Sequence, residues 1–136
     1  MHSINRIATL NTMQRILIVE DDQILREMYQ DQFKKNGYEV TTGANGEEGL
    51  ELALQLHPNL ILLDLALPAM DGTTMMEKLR DDAWGKDVAI IILTNLNVDG
   101  DLLNKMIQNR PAYCLMKVGV TPEEVMAKAQ GILKPV

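Results

Sequence analysis

The chain has little cysteine, little positive charge and no long apolar run, and each shortage excludes a class of protein. Its one cysteine, Cys114, has no partner within the chain, so no internal disulfide supports the fold. Packing alone must hold it together, which suits a reducing compartment, and a cytoplasmic location is expected. Lys and Arg number 13 against 19 Asp and Glu, for a net charge of −6. A wide nucleic-acid surface needs clustered cations, so none is expected, and any involvement with DNA would run through another protein. No apolar stretch reaches the roughly 18 residues a membrane span requires. The start of the chain also lacks the charged, apolar and small-residue regions of a signal peptide, so neither insertion nor secretion is expected. No G-x-G-x-x-G or Walker-type loop is present, which argues against nucleotide binding. Internal repeats and low-complexity segments are missing too.

What is present fits one domain. A chain of 136 residues with 46% hydrophobic and 24% charged residues can bury one core between a sheet and its covering helices. Residues 1–14 show no clear period and read as a poorly ordered arm, with Met13 a second candidate start. From Arg15 to the end at Val136 the pattern is regular, and this span is expected to be the domain.

Short apolar runs alternate with helical spacing. The runs are Ile16 to Val19, Tyr38 to Thr42, Leu60 to Leu63, Val88 to Leu93 and Ala112 to Met116, and they predict five strands. Three are apolar almost without alternation, as strands covered on both faces are. The intervening stripes predict five core-facing helices. They are Leu25, Met28, Tyr29 and Phe33; Leu50, Ala53 and Leu54; Met75, Met76 and Leu79; Leu102, Leu103, Met106 and Ile107; and Val125, Ala129, Ile132 and Leu133. Gly37, Pro58 and Pro122 punctuate the boundaries. Strand and helix in alternation predict an α/β fold with a parallel sheet.

Ligands of such a sheet lie beyond the carboxyl ends of its strands. Glu20, Asp21 and Asp22 follow the first predicted strand, Asp64 the third, Thr94 the fourth and Lys117 the fifth. Asp22, beside a helix start, reads first as an N-cap. The remaining carboxylates would repel one another at one edge unless a cation or a proton relieved them. Oxygen donors favour magnesium, since His2 and His57 fall outside the cluster and Cys114 lies within a strand, leaving zinc without ligands. A cation with Thr94 and Lys117 as donors would neutralise the oxygens of a phosphoryl group in transfer. Asp64, isolated from the other acids in sequence, is the candidate nucleophile.

These residues resemble the receiver family of bacterial two-component response regulators. The stretch ILIVEDD, Ile16 to Asp22, is similar to its first strand and acidic pair, and LILLDLALPAMDG, Leu60 to Gly72, to its phosphorylation strand and the Met-Asp-Gly turn that follows. Thr94 after AIIIL and Lys117 after YCLM match its hydroxyl and lysine positions. The resemblance covers about Arg15 to Leu133. It implies a flavodoxin-like doubly wound (βα)5 sandwich of three layers with sheet order 2-1-3-4-5. It also implies Mg2+ held by Asp21, Asp64 and the backbone carbonyl of Ala66, with Glu20 completing the acidic pocket through water. Asp64 would take phosphate from a sensor histidine kinase or a histidine phosphotransfer protein. Thr94 and Lys117 would then grip the phosphoryl oxygens and bias the face made by the fourth helix, fifth strand and fifth helix toward an unnamed downstream protein. The chain is expected to be a stand-alone phosphoacceptor, catalysing only its own phosphorylation and dephosphorylation. Monomer and phosphorylation-dependent homodimer are both left open.

Three positions depart from the pattern. The family's inward-swinging aromatic, three residues before the lysine, is replaced by Cys114, and alternation points the neighbouring Tyr113 to the opposite face unless a bulge intervenes. Val118 replaces the proline after the lysine, which predicts a looser loop there, and Asn95 replaces a small residue after Thr94. Ala66 and Leu96, at the two positions that in the family tune water attack on the acyl phosphate, cannot hydrogen-bond a water, which predicts slow self-dephosphorylation. The departures leave a second reading, a degenerate receiver acting as a phosphorylation-independent interaction module. An aspartyl phosphatase is disfavoured, because its usual second acid is Ala66 here.

Overall fold

The structure is a computed structural model and describes residues 13–95, 97 and 99–133. Residues 1–12, most of the predicted arm, lie outside the described residues, as does Leu96. Strands and helices alternate: β1 (Arg15–Val19), α1 (Gln23–Lys35), β2 (Glu39–Gly43), α2 (Gly46–Leu56), β3 (Leu60–Leu63), α3 (Gly72–Arg80), a short 3-10 turn (Gly85–Asp87), β4 (Ala89–Thr94), α4 (Gly100–Gln108), β5 (Tyr113–Met116) and α5 (Pro122–Ile132). All strands pair in parallel, in the order β2-β1-β3-β4-β5. Arg15 opens β1 one residue early, and Gln14, placed in the arm by sequence, has its carbonyl taken by the N–H of Glu39 at 3.0 Å.

Why three strands look continuously apolar is visible in the two cores. Side chains of period two alternate between faces, and here both faces are covered. Leu17, Val19, Ile61, Leu63, Ile90 and Ile92 pack with Ala53 of α2, Met75, Met76 and Leu79 of α3 and Met106 of α4. Their neighbours Ile16, Ile18, Leu60, Leu62, Ile91 and Leu93 pack with Tyr29 and Phe33 of α1 and Val125, Met126 and Ala129 of α5. The result is the expected sandwich of helices, sheet and helices.

Local chemistry sets the helix starts. Asp22, Asn45, Asp71, Asp99 and Thr121 each cap the helix that follows, accepting backbone N–H groups with a side-chain oxygen. Asp22 is therefore a cap, as its position beside a helix start suggested. Pro122 occupies the first turn of α5, where its missing N–H costs nothing.

The predicted helical stripes need one correction. Met28, Leu54, Leu103 and Ile107 are exposed, the last two at 47% and 63%. The reason lies in α4 most clearly: it connects the last two strands and has only the sheet's margin to cover, so Met106 is buried and Leu102 half-buried while the rest of the stripe faces solvent. β5 is an edge strand and is itself largely exposed.

Candidate functional site

The carboxyl ends of β1, β3, β4 and β5 converge on one cluster. Glu20 and Asp64 are held by the ladder itself: the Glu20 N–H donates to the carbonyl of Gly43 at 3.0 Å and the Asp64 N–H to that of Val19 at 3.1 Å. Each side chain is buried, at 5% residue exposure, whereas Asp21 is exposed. One carboxylate oxygen from each of Glu20, Asp21 and Asp64 lies within 4.8 Å of the other two.

Lys117 is what neutralises this group. Its Nζ lies 2.7 Å from Glu20 Oε1 and 2.8 Å from Asp64 Oδ2. Burial disfavours the ammonium charge, but the hydrogen bonds to Asp64 and Glu20 outweigh it and raise the lysine pKa. Burial raises the pKa of Glu20, and the charge of Asp64 adds to it; the hydrogen bonds from Lys117 and from the Asp22 N–H offset this in part. One cation for three acids leaves room for a second, divalent one.

The other predicted residues are placed as follows. Thr94 ends β4 fully buried, and its carbonyl accepts the Lys117 N–H at 3.1 Å. The Ala66 N–H donates to Asp64 Oδ1 at 3.2 Å, so that loop folds back onto the carboxylate. Tyr113 pairs with Ile91 and Cys114 with Ile92 in an unbroken register, so no bulge turns Tyr113 toward the site. Instead Tyr113 is 40% exposed on the α5 face, with Lys128 Nζ 4.5 Å from its ring centre. Cys114 is exposed as a residue, yet enough atoms surround its thiol that burial raises its pKa.

Two contributors were missed by sequence reading. Arg26 donates to the backbone carbonyl of Glu20 at 2.8 Å and of Asp21 at 3.4 Å, bracing the acidic pair from α1. Gly72 lets α3 start against the end of β3, for a Cβ there would lie 2.3 Å from the carbonyl oxygen of Asp64. The Met-Asp-Gly turn thus combines a helix cap, Asp71, with the one residue small enough for that approach. Arg26 had no sequence signal, while Gly72 was in view inside the motif.

The donor set is oxygen only, from three clustered carboxylates, two of them buried. That chemistry suits a hard divalent cation such as Mg2+ and offers nothing to a thiophilic metal.

The geometry defines an α/β protein with an acidic, lysine-bridged site at the carboxyl edge of its sheet, and comparison with known proteins gives the class a name. Residues 16–130 match the response regulator receiver domain, and the chain belongs to that family: it is a receiver domain of a response regulator of two-component signalling. Receiver domains are signalling phosphoacceptors that interact with histidine kinases or phosphotransfer proteins and generally use Mg2+. The DNA-binding dual master transcriptional regulator RpaA of Synechocystis sp. is 34% identical over 122 residues, which are 90% of this chain and 50% of that protein. The polar-differentiation response regulator DivK of Brucella ovis is 34% identical over 86 residues, 63% of this chain and 70% of that one. The chain spans about half the length of RpaA and of the ycf27 regulators it also matches. Among solved structures, a CheY-like receiver from Methanospirillum hungatei JF-1 superposes with a TM-score of 0.82 at 28% identity, over 90% of this chain and 94% of that one. Chemotaxis response regulator CheY4 of Vibrio cholerae gives 0.79 at 26% identity, over 89% and 99%. Among the described residues, no helix is long and apolar enough to cross a membrane.

Proposed function

We propose that this chain accepts a phosphoryl group on Asp64 from a histidine kinase or phosphotransfer protein, and that the acyl phosphate switches its binding to a downstream protein. One observation carries the reading: Lys117 bridges Asp64 and Glu20 within a cluster of three carboxylates that, among the described residues, form no other ion pair.

In the proposed step a lone pair of an Asp64 carboxylate oxygen attacks phosphorus in line. The phosphorus–nitrogen bond of the donor phosphohistidine breaks, its electron pair passes to the imidazole nitrogen, and that nitrogen takes a proton from solvent. Asp64 leaves the step as an acyl phosphate. Asp21, Asp64 and the Ala66 carbonyl would hold Mg2+, with Glu20 through water; when bound, the ion supplies positive charge to the transferring oxygens. Lys117, already on Asp64, supplies its ammonium to the same oxygens, and the Thr94 hydroxyl supplies a donor from β4. The chain's own part is thus positioning and charge stabilisation.

Residues 15–136 would form the receiver, with residues 1–14 an arm, and a cytoplasmic setting fits the single cysteine. The switch would bias the face of α4, β5 and α5. There Leu103, Ile107, Tyr113 and Met116 are exposed, an apolar surface suited to an output partner or to a second copy after phosphorylation. The placement of Tyr113 on the α5 face favours a second reading, in which the fold serves as a phosphorylation-independent interaction module, because no aromatic occupies the position of Cys114.

Incubation with acetyl phosphate and Mg2+, read by intact mass, separates the two. A gain of one phosphoryl group, lost in Asp64→Ala and on chelation, supports the phosphoacceptor. No gain under any condition, histidine kinases included, supports the interaction module.

A further inference from the structure

Two of the sequence departures beside the site, Asn95 after Thr94 and Val118 after Lys117, meet each other in the fold. The backbone N–H of Val118 donates to Asn95 Oδ1 at 3.1 Å, across 23 positions of chain. Each departure is needed for this bond. A proline at 118 would have no N–H to give, and alanine or glycine at 95 would have no acceptor.

The bond extends the sheet. Thr94 and Met116 are the last paired residues of β4 and β5. Past them the Lys117 N–H donates to the Thr94 carbonyl at 3.1 Å, and the Val118 bond adds one more rung, with a side-chain amide oxygen in place of a backbone carbonyl. Gly119, at φ +97°, then turns the chain away in a conformation that side-chain-bearing residues rarely adopt. Lys117 therefore sits between two rungs, its own N–H fixed and the next N–H fixed. This is the residue whose Nζ must span the site to reach both Glu20 and Asp64. The expected looser loop after β5 is instead pinned at its first residue.

We propose that Asn95 is a positioning residue: its side chain latches the loop after β5 to the loop after β4, and so holds Lys117 over the Asp64 and Glu20 carboxylates. Because Asn95 directly follows Thr94, the latch also ties together the two segments that would hold the phosphoryl oxygens, so that they move as one. The effect on phosphorylation rests on the reading of Asp64 as phosphoacceptor, whereas the latch itself does not.

A neutral hydrogen bond in water's reach contributes modestly, so its loss is expected to slow phosphorylation about three- to ten-fold. The test uses the full chain as native protein, Asn95→Ala, Val118→Pro, the double variant and Asn95→Asp, which keeps an acceptor oxygen. Phosphorylation rate is followed by intact mass against acetyl phosphate concentration at saturating Mg2+. Amide exchange of Val118 and the 15N signal of the Lys117 ammonium are followed by NMR in metal-free protein.

The expected result is a lower maximal rate in Asn95→Ala with the half-saturating donor concentration unchanged, faster Val118 exchange, and a weakened Lys117 ammonium signal. Asn95→Asp should restore Val118 protection. The double variant should be no slower than the slower single one, since both remove the same bond. Additive losses would overturn the proposal, as would a protected Val118 amide in Asn95→Ala, or an exposed amide with the Lys117 signal and rate untouched. If the native chain takes no phosphoryl group, it is the phosphoacceptor reading that fails, and the two NMR signals still decide the latch. Should Val118→Pro not fold, Asn95→Ala and Asn95→Asp suffice for the same decision.

Discussion

Lys117 Nζ lies 2.8 Å from Asp64 Oδ2, a contact between residues 53 positions apart that joins the end of β5 to the end of β3. β4 lies between those strands, so the lysine reaches across a whole strand to make the bond. Removing Lys117 should therefore act on chemistry and on stability at once. Lys117→Ala is expected to lower the phosphorylation rate about a hundred-fold, the scale for deleting one preorganised donor. In chelator it should also cost roughly 1–3 kcal/mol in urea denaturation, because two buried carboxylates lose their counter-charge; partial solvent access of the lysine keeps this below the full value for a buried pair. Added Mg2+ should recover most of that stability, and a variant as stable as native without metal would contradict the assigned role.

The raised pKa of Glu20 gives a pH dependence with a definite sign. The folded state holds the Glu20 proton more tightly than the unfolded chain, whose ordinary value is 4.5. Its contribution to stability is complete below that value and is lost as pH rises through the folded pKa. In chelator, the stability of Glu20→Gln relative to native should grow across that window and then level. Urea midpoints measured from pH 4 to 7 read this directly; a difference that shrinks with rising pH would contradict it.

Gly72→Ala tests the close approach of α3 to β3. The new Cβ would meet the Asp64 carbonyl oxygen at 2.3 Å, backbone that cannot rotate aside. A loss of about 1–3 kcal/mol is expected, as for overpacking elsewhere. Phosphorylation should slow as well, because the displaced segment carries Asp64, the proposed phosphoacceptor. Alanine at Gly100, where an added Cβ meets nothing within 4 Å, is the control and should do neither.

Arg80 makes its hydrogen bonds to backbone, although the charge of Asp87 acts on it as well. Its guanidinium donates to four backbone carbonyls: Asn109 at 2.7 Å, Gly85 and Val88 at 2.8 Å each, and Arg110 at 3.3 Å. Burial, followed by the charge of Arg110, lowers its pKa. It fastens the end of α3 to the 3-10 turn and to the chain leaving α4. Arg80→Ala should cost about 2–3 kcal/mol, and Arg80→Lys should recover little, since one ammonium cannot reproduce a planar fork of donors. Thermal or urea unfolding of the three proteins decides it.

The acyl phosphate should be long-lived. Ala66 is exposed beside Asp64 and offers a methyl group where a polar side chain could orient a water. Decay of the isolated phosphoprotein, followed by intact mass after the donor is removed, is expected to take many minutes. A half-life of seconds would refute this, and Ala66→Asn should shorten it.

Much of the site could be read from the chain because its residues follow directly on apolar runs. Glu20, Asp64 and Lys117 each stand one position past a strand, and Thr94 closes one, so recognising the strands placed all four at one edge. Helix caps were equally accessible: Asp22 bonds N–H groups only two and three residues away. Tyr113 went to the opposite face from Cys114, because alternation is a local rule and the register of β5 is unbroken.

What escaped sequence reading is of a different kind. Arg26 and Arg80 bond backbone carbonyls, which any residue supplies, so no pairing of side-chain types could announce them. Leu103 and Ile107 carry the same helical period as Met106, yet they are exposed because the sheet ends beneath α4. Asn95 and Val118 stand 23 positions apart and read as two separate departures, and only the fold shows that they are hydrogen-bonded to each other.

By itself, then, the sequence determined the alternation of strand and helix, the caps, the facing of each strand and the chemical types waiting at the strand ends, all of which depend on neighbours a few residues apart. Which strands lie side by side, and hence that one lysine bridges two acids and one amide closes on one N–H, was decided by the tertiary structure. Those contacts depend on the register between segments dozens of residues apart, and that register is fixed by two cores packed on both faces of the sheet together.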